Sequence, residues 1–223
     1  MTIKEKNDIH SDSQLPMGST YYGVYPALIT DIVDPKKMGR VRVKLMWAHE
    51  NVEIWARLTT LMAGKDRGAW FVPEVEDEVL VIFEGGNVNR PYVIGSLWNG
   101  VDRPPLALDD AGENNIKTIR SRSGVCITLD DTDEEEKIRL ETPAGQKVTL
   151  KDELGEIEIT DQHQNAITLS IEGIHVSSPK QIRLDTTQLE ISSTKIKISA
   201  GTSIISGLLK ADNIIADSII SNT

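Results

Sequence analysis

The sequence predicts an all-β protein in two unlike halves, a small closed barrel followed by a shaft of short repeated strands. Three observations carry this reading. No run of ten or more residues has helical periodicity, while several runs alternate apolar and polar residues with the period of two that marks a strand. All ten aromatic residues lie between Tyr21 and Trp98. From Ile116 onward a short apolar–polar–apolar unit recurs along the chain.

The first half supplies five strand-like runs. Residues 1–19 have low hydrophobicity and no period, and are expected to form a mobile arm. Tyr21 to Val33 is rich in aromatic and β-branched residues and stops at Asp34-Pro35. Gly39 to Trp47 alternates strictly, with Val41, Val43, Leu45 and Trp47 on one face and Arg40, Arg42 and Lys44 on the other. Glu53 to Leu61, Asp77 to Glu84 and Pro91 to Trp98 follow. Turn signals at Asp34-Pro35, Gly64 to Gly68 and Gly85-Gly86-Asn87 separate them. Five strands in about eighty residues fit a barrel of the OB type over residues 20–105, closed so that no long edge stays open. The Pro104-Pro105 pair and the acidic stretch that follows mark a linker at 106–115.

The second half has no aromatic side chain to build a core. Its units begin at Ile127, Ile138, Val148, Ile157, Ile167, Ile174, Ile182, Leu189 and Ile196, with spacings of 11, 10, 9, 10, 7, 8, 7 and 7. Each offers one short apolar face, so repeats must stack to bury anything. A single-chain β-solenoid needs about twenty residues or more per turn. A period of seven to eleven supplies one wall per repeat and favours an intertwined β-helix of three chains over residues 116–223, a β-prism shaft without free edges. Roughly eleven strands per wall at ~4.8 Å give a shaft on the order of 50 Å.

Composition narrows the function. The chain has 223 residues and a net charge of −10. Residues 1–105 hold 12 basic against 14 acidic residues, and the remainder 12 against 20. An acidic chain is a poor match for nucleic acid, whose affinity comes mainly from cations on phosphate. Arg40, Arg42, Lys44, Arg57 and Arg67 could be read with the aromatics as a single-strand-binding face, but Asp31, Glu50, Glu53 and Glu74 balance them. The single cysteine, Cys126, excludes an intrachain disulfide and reads as a buried or wall thiol. The four histidines form no metal spacing, and His163 and His175 read as polar wall residues. No catalytic constellation appears; the densest acidic run, Asp130-Asp131 with Asp133 to Glu136, falls between two repeats, where a solvated corner is expected. No apolar run reaches the ~20 residues of a membrane span, and the polar N-terminus lacks a secretory apolar core, so a cytoplasmic site of synthesis is expected.

The order of motifs resembles the central spikes of contractile injection machines, namely the phage baseplate assembly protein V family and the C-terminal part of VgrG proteins. The resemblance rests on Asp34-Pro35, Gly39-Arg40-Val41-Arg42-Val43, Trp55-Ala56-Arg57, Met62-Ala63-Gly64, Phe71, Pro73-Glu74-Val75, Asp77 to Val81 and Arg90 to Leu97, in that order. Asn114 to Lys117, Ser121 to Gly124 and Asp130-Asp131 resemble the start of a shaft. Where the family often has Gly-Asp around the fourth strand, this chain has Glu76-Asp77 and Gly86-Asn87.

The resemblance implies a non-enzymatic homotrimer without cofactors. It resides in the baseplate of an injection particle or virion and contacts the target membrane only during puncture. The large hub region that VgrG proteins carry before the barrel is missing, which implies a separate hub protein at the barrel end. No His-x-His iron site of the kind ending some short phage spikes is present. The adjacent apolar pairs Leu208-Leu209, Ile214-Ile215 and Ile219-Ile220 are therefore candidates for docking a separate PAAR-like tip protein. The alternative is an oligosaccharide- or nucleic-acid-binding barrel on a trimeric stalk.

Overall fold

A computed structural model describes residues 20–48, 52–108 and 111–213. β1 (Tyr25–Asp31), β2 (Arg40–Leu45), β3 (Glu53–Leu58), β6 (Glu78–Phe83) and β7 (Pro91–Ser96) close a barrel in the order β1-β2-β3-β7-β6. All neighbours are antiparallel except β3 and β7, which run parallel and close the ring. Alternation explains the core. Ala27 and Ile29, Val41, Val43 and Leu45, Ile54 and Ala56, Val79, Val81 and Phe83, and Val93 all point inward and are buried. At one mouth of the barrel Trp47 stacks near Tyr21 and Tyr25, with ring centroids 4.7 and 5.2 Å away, and these rings pack against the core, as the phase of Trp47 with Val41 predicts.

Between β3 and β6 the segment expected to be a plain turn forms a small hairpin, β4 (Ala63–Gly64) and β5 (Arg67–Gly68). Thr60 Oγ1 donates to the Ala69 carbonyl at 2.6 Å, and Ala69 N–H to the Met62 carbonyl at 2.9 Å, which closes the hairpin base. Its apolar residues face out: Leu61 is 98% exposed, Trp70 76% and Phe71 69%.

The β1–β2 loop is held by a buried ion pair. Arg40 was expected on the outer face of β2 and keeps that phase, yet it is buried. The preceding loop and the Trp55 ring cover it, its guanidinium lying 5.4 Å from the Trp55 centroid. Its Nη2 donates to Asp34 Oδ1 at 2.7 Å, with both side chains almost fully enclosed. Asp34 also accepts backbone N–H groups of Lys36, Met38 and Arg40. Burial disfavours ionising Asp34, but the Arg40 hydrogen bond and these three N–H groups outweigh it and hold its carboxyl well below the usual carboxylate range. Gly39 completes the loop at φ +72°, and any Cβ there would lie 3.3 Å from the Trp70 ring.

Beyond the barrel, β8 (Ile116–Arg120), β9 (Cys126–Asp130), β10 (Lys137–Glu141), β11 (Lys147–Lys151), β12 (Glu156–Thr160), β13 (Ala166–Ser170) and β14 (Gly173–Ser177) form one antiparallel meander in chain order. Over this stretch the repeat units pair with one another inside the chain, instead of lying singly on separate walls. The spacing gives the reason. Seven to eleven residues per unit leave room for a five-residue strand and a reversing turn. Three turns on one edge share a build, with Ser121 N–H to the Val125 carbonyl, Thr142 N–H to Gln146 and Asp161 N–H to Asn165, at 2.9, 3.0 and 3.2 Å. Gly124 supplies the left-handed residue of the first, at φ +90°, where a Cβ would meet Pro143 of the next turn at 3.2 Å. From Ile167 onward the spacing shortens to seven and eight, and 178–213 contains no strand.

Asp34→Asn should leave Arg40 buried and uncompensated, at a cost of about 3–5 kcal/mol. Every tryptophan lies in the barrel, so urea unfolding followed by tryptophan fluorescence at pH 7 reads this directly. A depressed folded-state pKa means the contribution of Asp34 is complete above its unfolded pKa and is lost as pH falls toward the folded value. The gap between the two proteins should therefore narrow as pH falls below about 4. A gap unchanged down to pH 3 would show that the charge of Asp34 does not matter.

Candidate functional site

The distinctive surface is one face of the meander. Antiparallel register aligns Ile127, Leu140, Val148, Ile159, Ile167 and Val176 in one column. It aligns Leu129, Ile138, Leu150, Ile157, Leu169 and Ile174 in a second beside it. Except for the half-buried Val148, all are exposed, including Ile138 and Leu140 at 42% each. Along the first column, with Ile182 of the segment after β14, lies an apolar trough of about 700 Å³. Monomers rarely leave contiguous apolar area beyond a few hundred Å² uncovered.

The opposite face is polar. Its central column runs Thr118, Thr128, Arg139, Thr149, Glu158, Thr168 and His175. Ion pairs brace it: Lys137 lies 3.1 Å from Asp130, and Lys151 2.5 Å from Glu156 and 3.2 Å from Glu158. Hydrogen bonds that Lys151 donates to Glu156 and Glu158 outweigh its burial and raise its pKa. Burial opposes ionisation of Asp130, but its bonds from Thr132 and Lys137 lower its pKa. Cys126 sits buried on this face, its Sγ 2.9 Å from Thr118 Oγ1. That hydrogen bond, with a weaker one from Thr128, lowers the thiol pKa. A polar face more enclosed than the apolar one inverts the usual order of a half-buried sheet.

The two edges differ as well. Alternate turns of a meander fall on opposite edges. One edge carries the turns 121–125, 142–146 and 161–165; the other carries 131–136, 152–155 and 171–172. The acidic run Asp131 to Glu136 thus occupies a turn, as expected. On the first edge Arg122 reaches the barrel and pairs with Glu74 at 2.8 Å.

The barrel's basic residues do not assemble into a phosphate-binding face. Arg40 is buried against Asp34, Arg42 pairs with Glu53 at 3.1 Å, and Arg57 lies over the Tyr92 ring at 5.3 Å. The Tyr92 hydroxyl donates to Glu84 at 2.5 Å, and that carboxylate raises its pKa. Among the described residues no cluster of three or more His, Cys, Asp or Glu is placed to hold a metal ion, and no helix is long and apolar enough to cross a membrane. Leu208 and Leu209 are exposed; Ile214, Ile215, Ile219 and Ile220 lie outside the described residues.

Residues 25–98 match the family model of the type VI secretion system/phage-baseplate injector OB domain. The chain is 30% identical over 105 residues to the type VI secretion system spike protein VgrG1a of Pseudomonas aeruginosa, which covers 44% of this chain. It is 24% identical over 151 residues, 61% of the chain, to the spike protein VgrG3 of Vibrio cholerae. It is also 28% identical over 86 residues to a Vibrio cholerae protein named actin cross-linking toxin VgrG1. The matched segments span 16%, 15% and 8% of those relatives' lengths.

With Arg40, Arg42 and Arg57 engaged in this way and a net charge of −10, the chain should not bind single-stranded DNA or RNA usefully at about 0.15 M salt. Fluorescence titration with labelled oligonucleotides tests this. Sub-micromolar binding with a steep salt slope would restore the barrel as a nucleic-acid reader.

Proposed function

We propose, from the match of residues 25–98 to the injector OB domain and the likeness to VgrG spike proteins, that this chain is the non-enzymatic central spike of a contractile injection baseplate, working as a homotrimer. The observation that carries the proposal is the uncovered double column of aliphatic side chains on the meander. Three such walls, turned inward about a common axis, bury one another's columns and put the ion-paired polar faces outside. The task is mechanical. A sheath drives the particle forward, the spike leads, and the target membrane is touched only as it is pierced. Stiffness under axial load is what the stacked, hydrogen-bonded strands provide, and no catalytic group is needed.

The shaft in this reading has two segments. Over 116–177 each chain makes one wall by itself. From residue 178 on, Ile182, Leu184, Leu189, Ile191, Ile196 and Ile198 keep the apolar alternation and are exposed. A seven-residue step still allows a hairpin between β13 and β14, but 178–213 holds no strand, and here the three chains would wind around one another, each unit moving to the next wall. The narrower period tapers the shaft toward its C-terminal end.

Topology gives the spike its polarity. The chain leaves the barrel for the shaft from the end that bears the β1–β2 loop, the β4–β5 hairpin and the end of β7. The opposite mouth, plugged by Tyr21, Tyr25, Trp47 and Phe83, faces away from the shaft, and a separate hub protein would seat there. At the far end Leu208-Leu209, Ile214-Ile215 and Ile219-Ile220 would present an apolar terminus for a PAAR-like tip protein.

Sedimentation equilibrium of the full chain should give three times the chain mass. Leu150→Asp, in the apolar column, should abolish the trimer, while Arg139→Gln, one column away on the polar face, should retain it. A stable folded monomer in the wild type would overturn the reading.

Truncation after Ser206 should leave a trimer but abolish capture of the tip protein. Unchanged affinity in the truncated spike would show that the apolar pairs only finish the core.

A further inference from the structure

The hairpin β4–β5 carries a group of apolar side chains that the barrel core does not use. Leu61, Met62, Trp70 and Phe71 are all exposed around it, and its tip carries Lys65 and Arg67 against one acid, Asp66. The Trp70 ring is laid over Gly39, so the Asp34–Arg40 loop braces the hairpin from behind. Such a presentation calls for a partner that is apolar at its centre and acidic at its rim.

The position of the hairpin selects the partner. Glu74, three residues after Phe71, is tied to Arg122, and Arg122 lies in the first turn of one shaft edge. The hairpin therefore hangs at that edge, at the root of the shaft. Closing three walls into a prism joins this edge of each wall to the opposite edge of the next wall. At the root, the opposite edge is the turn Asp131 to Glu136, one strand further down, a step of ~4.8 Å. Asp131 is paired with Lys117 and Glu135 with Lys137, but Asp133, Glu134 and Glu136 leave the turn with surplus negative charge.

We infer that the hairpin is an intersubunit clasp: Trp70 and Phe71 of one copy dock on the shaft root of a neighbouring copy, and Lys65 and Arg67 engage that copy's acidic 131–136 turn. The clasp rests on the trimeric reading above. It holds each barrel against two shaft walls, its own through Glu74 and Arg122 and its neighbour's through the hairpin, so that the barrels cannot swing outward under thrust.

The test places a photo-crosslinking p-benzoylphenylalanine at position 70 of the full chain. Irradiation of the purified trimer should give covalently joined chain pairs, with the crosslink mapping to residues 111–136 of a different copy. Crosslinks confined to one chain, mapping elsewhere, or absent would overturn the clasp. A second variant avoids the aromatic site: Lys65→Glu with Arg67→Glu, both exposed, should raise the trimer dissociation constant by about tenfold at low salt. Adding Asp133→Lys and Glu134→Lys should restore it. Unchanged dissociation in the first variant, or no rescue in the second, would also overturn it. Sedimentation of the wild type separates the two levels: a monomer defeats the trimer itself, whereas a trimer with misplaced crosslinks defeats the clasp alone.

Discussion

A five-residue strand can bury an apolar side chain only if something lies across its face, and the second half of this chain contains nothing to lie there. It has no helix among the described residues and no aromatic side chain, and it offers two aliphatic residues per strand on one side of a sheet. Each buried aliphatic side chain is worth about 1.5–3 kcal/mol, so a dozen left in water would forfeit most of what could hold the wall flat. The other features of the shaft follow from that one constraint. Register stays strict because a one-residue slip would send every aliphatic residue to the polar face. The turns are compact because bulky corners would keep neighbouring walls apart. Charges gather on the polar face, where they pair with one another, and at one edge.

The barrel obeys the opposite logic. Thirteen buried apolar residues close its core within one chain, and the ring of strands leaves no open edge. It can therefore act as a rigid collar whose loops are free to specialise. The buried Asp34–Arg40 pair is one such specialisation. A pair of this kind adds little net stability compared with an apolar substitute, but it fixes one conformation of the loop that carries it. That loop lies beneath Trp70, and the hairpin of Trp70 leads to Glu74 and so to the shaft. Rigidity thus runs from the barrel core through an ion pair to the junction between the halves.

Much of this was legible in the sequence, for a physical reason. Alternation reports burial directly, so Val41, Val43 and Leu45 announced β2 and its inward face. The repeat of Ile127, Ile138 and Val148 announced stacked strands. Three things were less legible. The apolar alternation of the shaft units is the same whether neighbours pair within one chain or between chains, and spacing alone does not separate the two, because β13 and β14 pair at the seven-residue step from Ile167 to Ile174. Arg40 read as an outward cation because its phase is outward, while its burial comes from a loop that folds back over it. Asp34, six residues earlier and beside a proline, carried the cue. The β4–β5 hairpin is two residues per strand, too short for any period to register.

The distribution of charge fits the proposed shaft, whose flank would pass through a target envelope. A rod pushed through anionic lipid headgroups would be held by basic side chains along its flank, at about 1 kcal/mol for each one near the surface. Residues 106–223 hold 12 basic against 20 acidic residues, and on the outer face Lys137 and Lys151 are occupied by Asp130, Glu156 and Glu158. In the proposed trimer the same acids that brace the polar face would weaken its adhesion to membranes, while the aliphatic columns that would partition into lipid would be turned to the axis. A single wall would expose those columns and stick. In that reading only the closed prism would have a flank that slides, so the oligomeric state that supplies a core would also be the one that suits the passage.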